Sequence, residues 1–378
     1  MNLKKHFKKS MDSSFDNRQS SGLTSNFIGY TCTYIPEEIL ISGGLTAYRI
    51  KGSSSRNISD GFMPINFCPY IKSIWAQIYN DNIKSHPVVF TAACDAMRRL
   101  NDIVENFSSQ TPLFLLDVPK KPDEISVNYF SSRIENLLDF VQDNSPADAI
   151  TAEMLKKACD KVSKKRALLR KLTKIYESFG SIEMNTSDYF KILDLSAQSD
   201  VDIFNSELEI FLKNDVILNK INTKKEPPLK LLLIGNYIND ENFWNIFSDI
   251  NAKIVSSDLC LTSRYFDFDT GCRGMLEKSL KKLCVLLADS YLKKPACFRM
   301  QGASDKIQKI KQQIADYDIN GVIFASVKFC DNTLFFYPDL KKELLLLNIP
   351  SLYADIEYGS SSSGQLKTRI EAFIEMFS

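Results

Sequence analysis

The chain has 378 residues, 44% hydrophobic and 25% charged, with a formal net charge of +1. That length exceeds one simple core and predicts two domains. The charge balance leaves no electrostatic footprint for nucleic acid or an anionic membrane. No apolar run reaches the roughly 18–20 residues that cross a bilayer. The basic start "MNLKKHFKKSMDSSFDNRQSS" lacks the apolar stretch of a secretory signal, so the expected location is the cytoplasm.

In chain order, residues 1–26 read as a mobile or helical arm. "PEEILISGG" predicts a short helix with Pro36 at its start and Gly43-Gly44 at its end. "LTAYRIKG" reads as a strand. In "HPVVFTAACDAMRRLNDIVENF", Val88–Ala93 read as a buried parallel strand and Asp95–Phe107 carry helical periodicity, which puts Cys94 at the junction. "TPLFLLDVPKK" adds a further buried strand and closes an α/β unit over 27–123. Residues 124–222 are mostly helical, and their lysine-rich stretch reads as a solvated face over a packed stripe. "NTKKEPPLK" reads as a linker. From 223 to 378 strands and helices alternate again, which predicts a second, mainly parallel sheet.

Nine cysteines fall on this pattern. In a reducing compartment they are not expected to form disulfides, and none is arranged as a C-x-x-C pair of a zinc ribbon. With two histidines in the chain, His6 and His86, purely His-based metal sites are excluded. Open α/β sheets place their ligands outside the carboxyl ends of the strands. Cys94, Cys260 and Cys330 end apolar strand patterns, Cys68 lies between Pro64 and Pro69, and Cys32 precedes the first helix. Thiols on such stiff backbone suit an iron–sulfur cluster, although each alone also suits plain packing. Cys159, Cys272, Cys284 and Cys297 lie on or beside helical stretches and are assigned to packing. Glu37 and Glu38 are either dipole-stabilising residues of a first turn or a general acid/base pair. "YGSSSSGQLKTR" is either a flexible loop or an anion-binding nest feeding the last helix. No phosphate-binding glycine loop is present, so the chain has no recognised means of holding ATP or a dinucleotide.

Taken together and in order, "GYTCTYIPEEIL", "NFCPY", "CDAMRRL", "SDLCLTSRYF", "NGVIFASVKFCD", "YPDLKKEL" and "SSGQLKTRIEAF" resemble the 2-hydroxyacyl-CoA dehydratase and benzoyl-CoA reductase family over roughly residues 27–376. The resemblance implies two flavodoxin-like parallel-sheet α/β domains with a helical middle segment and a [4Fe–4S] cluster in the interdomain cleft. The cysteines in matching motifs are Cys32, Cys68, Cys94 and Cys330. Some family clusters have three cysteine ligands and one open iron, and Cys32 is then the expected non-ligand. Were Cys260 to join, a double-cubane [8Fe–9S] cluster would be the alternative. The implied chemistry is radical dehydration, in which one electron on the thioester carbonyl gives a ketyl radical that expels the neighbouring hydroxyl. The implied partners are a homologous subunit or a second copy, a separate ATP-hydrolysing activator, and a CoA-thioester substrate met by Arg264, Lys328 and Gln365. The alternatives are an ATP-dependent reductase and a non-catalytic electron-transfer subunit.

Overall fold

Short runs of apolar, β-branched residues build the strands. "FIGY", "VVFT" and "GVIFASV" are buried at every position, the pattern of parallel strands covered on both faces. A computed structural model gives the fold and describes residues 3–13, 26–52, 61–80, 82–177, 184–213, 229–247, 250, 252–272, 279–358 and 363–377. The first part of the chain runs α1 (Leu3–His6), α2 (Lys8–Ser13), β1 (Phe27–Tyr30), α3 (Glu37–Ser42), β2 (Thr46–Arg49), α4 (Pro69–Asn80), β3 (Val88–Thr91), α5 (Asp95–Phe107) and β4 (Leu113–Leu116). A helical stretch follows: α6 (Glu124–Asp143), α7 (Ala152–Glu177), α8 (Thr186–Ser196) and α9 (Val201–Leu212). The remainder is β5 (Lys230–Gly235), α10 (Glu241–Ile246), β6 (Lys253–Asp258), α11 (Ser263–Phe266), α12 (Leu280–Lys293), α13 (Ala303–Asp316), β7 (Gly321–Val327), α14 (Asp331–Leu346), β8 (Ser351–Ile356) and α15 (Ser363–Glu375).

The strands form two four-stranded sheets of the same topology, β2-β1-β3-β4 and β6-β5-β7-β8. Every pairing is parallel. The strand order reverses direction between β1 and β3, and again between β5 and β7. Each sheet therefore has a switch point, where ligands of doubly wound folds bind at the carboxyl ends. This is the expected pair of flavodoxin-like α/β units.

Packing shares the helices between two cores. Phe130, Ile134 and Leu137 of α6 join β1, α3 and, from far along the chain, Leu283, Leu287 and Tyr291 of α12 on the first sheet. Leu168, Leu172, Phe190 and Phe204 of α7, α8 and α9 join β5 and β7 on the second. The N-terminal helices dock as well, with Phe7 buried against Phe204 and Phe211 and the Ser10 N–H donating to Glu207 at 2.8 Å. Most of the expected linker lies outside the described residues.

One glycine is fixed by a close approach. A Cβ on Gly235, at the end of β5, would stand 2.1 Å from the carbonyl oxygen of Ala325 on β7. Backbone cannot yield as a side chain can, so Gly235→Ala should destabilise the protein by about 2–3 kcal/mol. Urea denaturation would measure that loss, and an unchanged midpoint would contradict it.

Candidate functional site

The cysteines gather where the two switch points open. Cys32 follows β1, Cys94 follows β3, Cys260 follows β6 and Cys330 follows β7. Three thiols also precede helices directly: Cys68 stands before Pro69 of α4, and Cys94 and Cys330 are the N-cap residues of α5 and α14. The positive end of a helix favours an anionic sulfur. Backbone N–H groups reinforce this, those of Ile71 and Tyr70 reaching the Cys68 sulfur and that of Met97 the Cys94 sulfur. Cys330 is set by Phe329, whose φ of 61° lies in the left-handed region, a strained conformation of the kind concentrated at functional sites. Asn236, just past β5, holds this turn from the side. Its Nδ2 donates to the Cys330 sulfur at 3.5 Å, and its Oδ1 accepts from the Val327 N–H at 3.0 Å.

Thiols from the two sheets lie within electrostatic reach of one another. Cys330 lies within electrostatic reach of Cys68 and Cys94, and Cys94 also within reach of Cys32 and Cys297. Cys260 faces Cys297 and Cys32 in turn. Burial pushes the Cys68 thiol up to about 12 and those of Cys94 and Cys260 up to about 11. Without an electropositive occupant these three therefore stay protonated at neutral pH. Cys297 packs against the core of the first sheet as expected, and its thiol also lies within electrostatic reach of Cys94 and Cys260. Cys159, Cys272 and Cys284 lie apart, buried in the core of the first sheet.

Among the described residues, no three His, Cys, Asp or Glu side chains converge closely enough to hold a single metal ion. A cubane offers each thiolate its own iron, so its ligands stand apart around a cage rather than around one ion. The donor set, several thiols on stiff junctions of two sheets, fits such a cage and not a mononuclear ion.

Behind the thiols stands a buried ionic network. Glu37 and Glu38 of α3 are 2% and 0% exposed. Glu37 pairs with Lys165 of α7 and accepts from the hydroxyls of Tyr30 and Tyr265. Burial would raise its carboxyl, but Lys165 and these hydrogen bonds hold it below the usual range. Glu38 accepts from Arg166 and from the Tyr291 hydroxyl, each at 2.7 Å. Both carboxylates are thus committed to protein partners, a placement that clamps α3 to α7 and gives acid/base chemistry no accessible oxygen. The lysine-rich stretch does present a solvated face, with Lys157, Lys161, Lys164, Lys171 and Lys174 exposed, but Lys165 and Arg166 depart from it: both are buried.

The expected substrate contacts are not brought together. Arg264 is 1% exposed and donates to Asp258 through its Nε at 2.6 Å, while Lys306 pairs with the same carboxylate. Against the burial that would raise it, these two cations hold Asp258 down at about 2. Arg264 is therefore a buried partner of Asp258, with its Nη1 3.9 Å from the Cys260 sulfur, rather than an exposed phosphate contact. Lys328 pairs with Glu357 beside Cys330, and Gln365 is exposed in the first turn of α15. Residues 359–362, the heart of the possible anion nest, lie outside the described residues. A cavity of about 790 Å³, a size that accepts a small organic ligand, is lined by Asp258, Phe268, Lys294, Ala296, Met300 and Lys306 among others, with no thiol in its lining. Lys294 itself is 3% exposed, and burial pulls it down to about 7. Sequence reasoning passed over it, because a lysine at a helix end reads as surface.

Two parallel-sheet units of the same topology, with thiols at the carboxyl ends of their strands within electrostatic reach of one another, define a doubly wound α/β protein with a cysteine-rich site. The family model described as 2-hydroxyglutaryl-CoA dehydratase, D-component, matches residues 32–377, and the chain belongs to that family. It is similar to the lactoyl-CoA dehydratase subunit beta of Anaerotignum propionicum, at 23% identity over 98% of this chain and 95% of that protein. It is also similar to the (R)-2-hydroxyglutaryl-CoA dehydratase subunit beta of Acidaminococcus fermentans, at 21% identity over 92% and 91%. A third relative is a subunit of the benzoyl-CoA reductase of Thauera aromatica, at 20% identity over 90% and 87%. Among the described residues no helix is long and apolar enough to cross a membrane.

Proposed function

We propose that this chain is the cluster-binding subunit of a cytoplasmic 2-hydroxyacyl-CoA dehydratase, working with a homologous subunit and an ATP-hydrolysing activator. The observation that supports this reading is that Cys68, Cys94 and Cys330 lie within electrostatic reach of one another at the starts of three helices, with Cys32 within reach of Cys94. Those four would hold a [4Fe–4S] cluster. When bound, such a cluster supplies low-potential electron transfer and, at an iron without a fourth thiolate, a Lewis acid for the thioester or hydroxyl oxygen.

The chain's own residues supply the rest. The N-termini of α4, α5 and α14 carry Cys68, Cys94 and Cys330 on stiff backbone, and backbone N–H groups reach the sulfurs of Cys68 and Cys94. Phe329 and Asn236 fix the direction of the Cys330 sulfur, and the buried pairs of α3 with α7 hold in place the helix that follows Cys32. The net reaction is loss of the α-hydroxyl and a β-proton as water, leaving an enoyl-CoA. An anaerobic assay with the homologous subunit, activator, ATP and a series of 2-hydroxyacyl-CoA esters should yield enoyl-CoA from at least one of them. No enoyl-CoA from any would overturn the dehydratase reading.

A second reading is favoured by Cys260 lying within electrostatic reach of Cys297 and Cys32, and Cys297 within reach of Cys94. A set of that size suits a double-cubane cluster and an ATP-dependent reductase. Iron analysis separates the two, about four irons per chain for one cubane and about eight for the pair.

A further inference from the structure

Two cations near the thiols lack the anionic partner that burial demands. Arg49 ends β2 and pairs in register with Tyr30 of β1, on the same sheet edge as Cys32. It is 2% exposed, its guanidinium stacks 4.4 Å over the Tyr237 ring, and its charge reaches Cys260. Its Nη2 donates weakly to the Thr31 carbonyl at 3.4 Å and the Tyr70 hydroxyl approaches the same guanidinium, while Nε and Nη1 have no partner in hydrogen-bond geometry. The Tyr70 hydroxyl nearby stays neutral, because burial raises its pKa. Asp194 lies within electrostatic reach of Arg49 but bonds Tyr237 and Gln198, each at 2.8 Å. Lys294 follows α12. Its ammonium donates to the Thr33 carbonyl and packs 4.3 Å from the Tyr34 ring centre and 5.3 Å from those of Phe268 and Tyr291. The thiols within its reach are Cys32, Cys297 and Cys260. Among the described residues neither cation forms an ion pair, in contrast to the compensated pairs of Lys165 and Arg166 nearby.

A buried charge is tolerated when it is paired or when it faces a metal-centred group of opposite sign. The thiols, once ionised by a bound cluster, supply that negative charge. Arg264 and Lys306 share one carboxylate, Asp258, so that group also leaves positive charge turned toward Cys260 and Cys297.

We propose that Arg49 and Lys294 are positioning residues of the thiol centre, a buried cationic shell that balances its negative charge and sets how readily it accepts an electron. This rests on the cluster-binding reading above. Arg49 is charged throughout, and ionised thiols at Cys32, Cys297 and Cys260 would hold the proton on Lys294 that burial alone pulls down. A positive charge beside a redox centre stabilises the reduced, more negative state, so its removal moves the reduction potential downward. A purely structural role would leave the potential where it is.

The test uses the full chain, loaded with iron and sulfide under anaerobic conditions. Arg49→Met and Lys294→Met should each retain iron and show a more negative midpoint in a potentiometric titration followed by visible absorbance. The double variant should shift further, Lys294→Arg should restore the wild-type value, and Lys171→Ala on the exposed face of α7 should change nothing. Iron retained with unchanged midpoints in both variants overturns the proposal. Should Lys294→Met fail to fold, Arg49→Met decides. A second arm needs no cluster: in iron-free protein at fixed pH, neutral iodoacetamide should label the cleft thiols several-fold more slowly in Arg49→Met than in wild type. Wild-type protein that takes up no iron would sink the cluster reading, and the labelling arm would still decide the shell. Equal labelling rates in that case overturn it.

Discussion

Cys68→Ser, Cys94→Ser and Cys330→Ser should each lose most of the iron that the wild-type chain takes up anaerobically, whereas Cys159→Ser keeps it. The first three thiols stand at the start of helices α4, α5 and α14 and lie within electrostatic reach of one another. A serine oxygen is a poor ligand for iron in a sulfur cage, so one replacement opens the cage and exposes it to loss. Cys159 lies in the core of the first sheet, hydrogen-bonded to Cys272, and contributes nothing to the cleft. Cys32 discriminates further. If one iron is left open for substrate, Cys32→Ser should retain the cluster while activity changes. If Cys32 is a ligand, it should behave as the other three. Iron retained in Cys94→Ser and Cys330→Ser together would contradict the site.

The second large effect is on stability. Glu38→Ala should cost roughly 3–5 kcal/mol in urea denaturation, because it strands the Arg166 guanidinium in the interior. Arg166 and Glu38 are 2% and 0% exposed as side chains, and the Tyr291 hydroxyl bonds both. Replacing the pair together, as Glu38→Leu with Arg166→Met, should recover most of that loss, since no unpaired charge then remains. A single variant within about 0.5 kcal/mol of wild type would show that the pair is solvated or dispensable. The network joins α3, which follows the Cys32 loop, to α7 and α12. Its loss should therefore also lower iron occupancy, and the double replacement should restore it.

The repeated sheet was legible because parallel strands are covered on both faces, so "VVFTA" and "GVIFASV" stand out as continuous apolar runs. The helix–strand junctions were legible for the same reason, and with them the positions of Cys94, Cys260 and Cys330. What the chain order hides is which distant element covers which. Periodicity shows that α12 buries one face but not that this face meets β1 and α6, nor that Cys297 beyond it lies within reach of Cys94 and Cys260. Likewise nothing local pairs Glu37 with Lys165 or Glu38 with Arg166, each 128 residues away. Charged residues on a long helix ordinarily face water, and only the assembled structure turns these two inward. Arg264 misled for a related reason: a basic residue near a strand end suits a phosphate, yet Asp258 at the end of β6 claims it first.

Iron and acid-labile sulfide measured on the anaerobically reconstituted wild-type chain, with Mössbauer spectra of the same sample, test the central claim most directly. A thiol-held cluster shared by the two sheets predicts about four irons per chain, or about eight if Cys260 and Cys297 take part, in tetrahedral sulfur sites with matching sulfide. A colourless protein without bound iron or sulfide after reconstitution would contradict it.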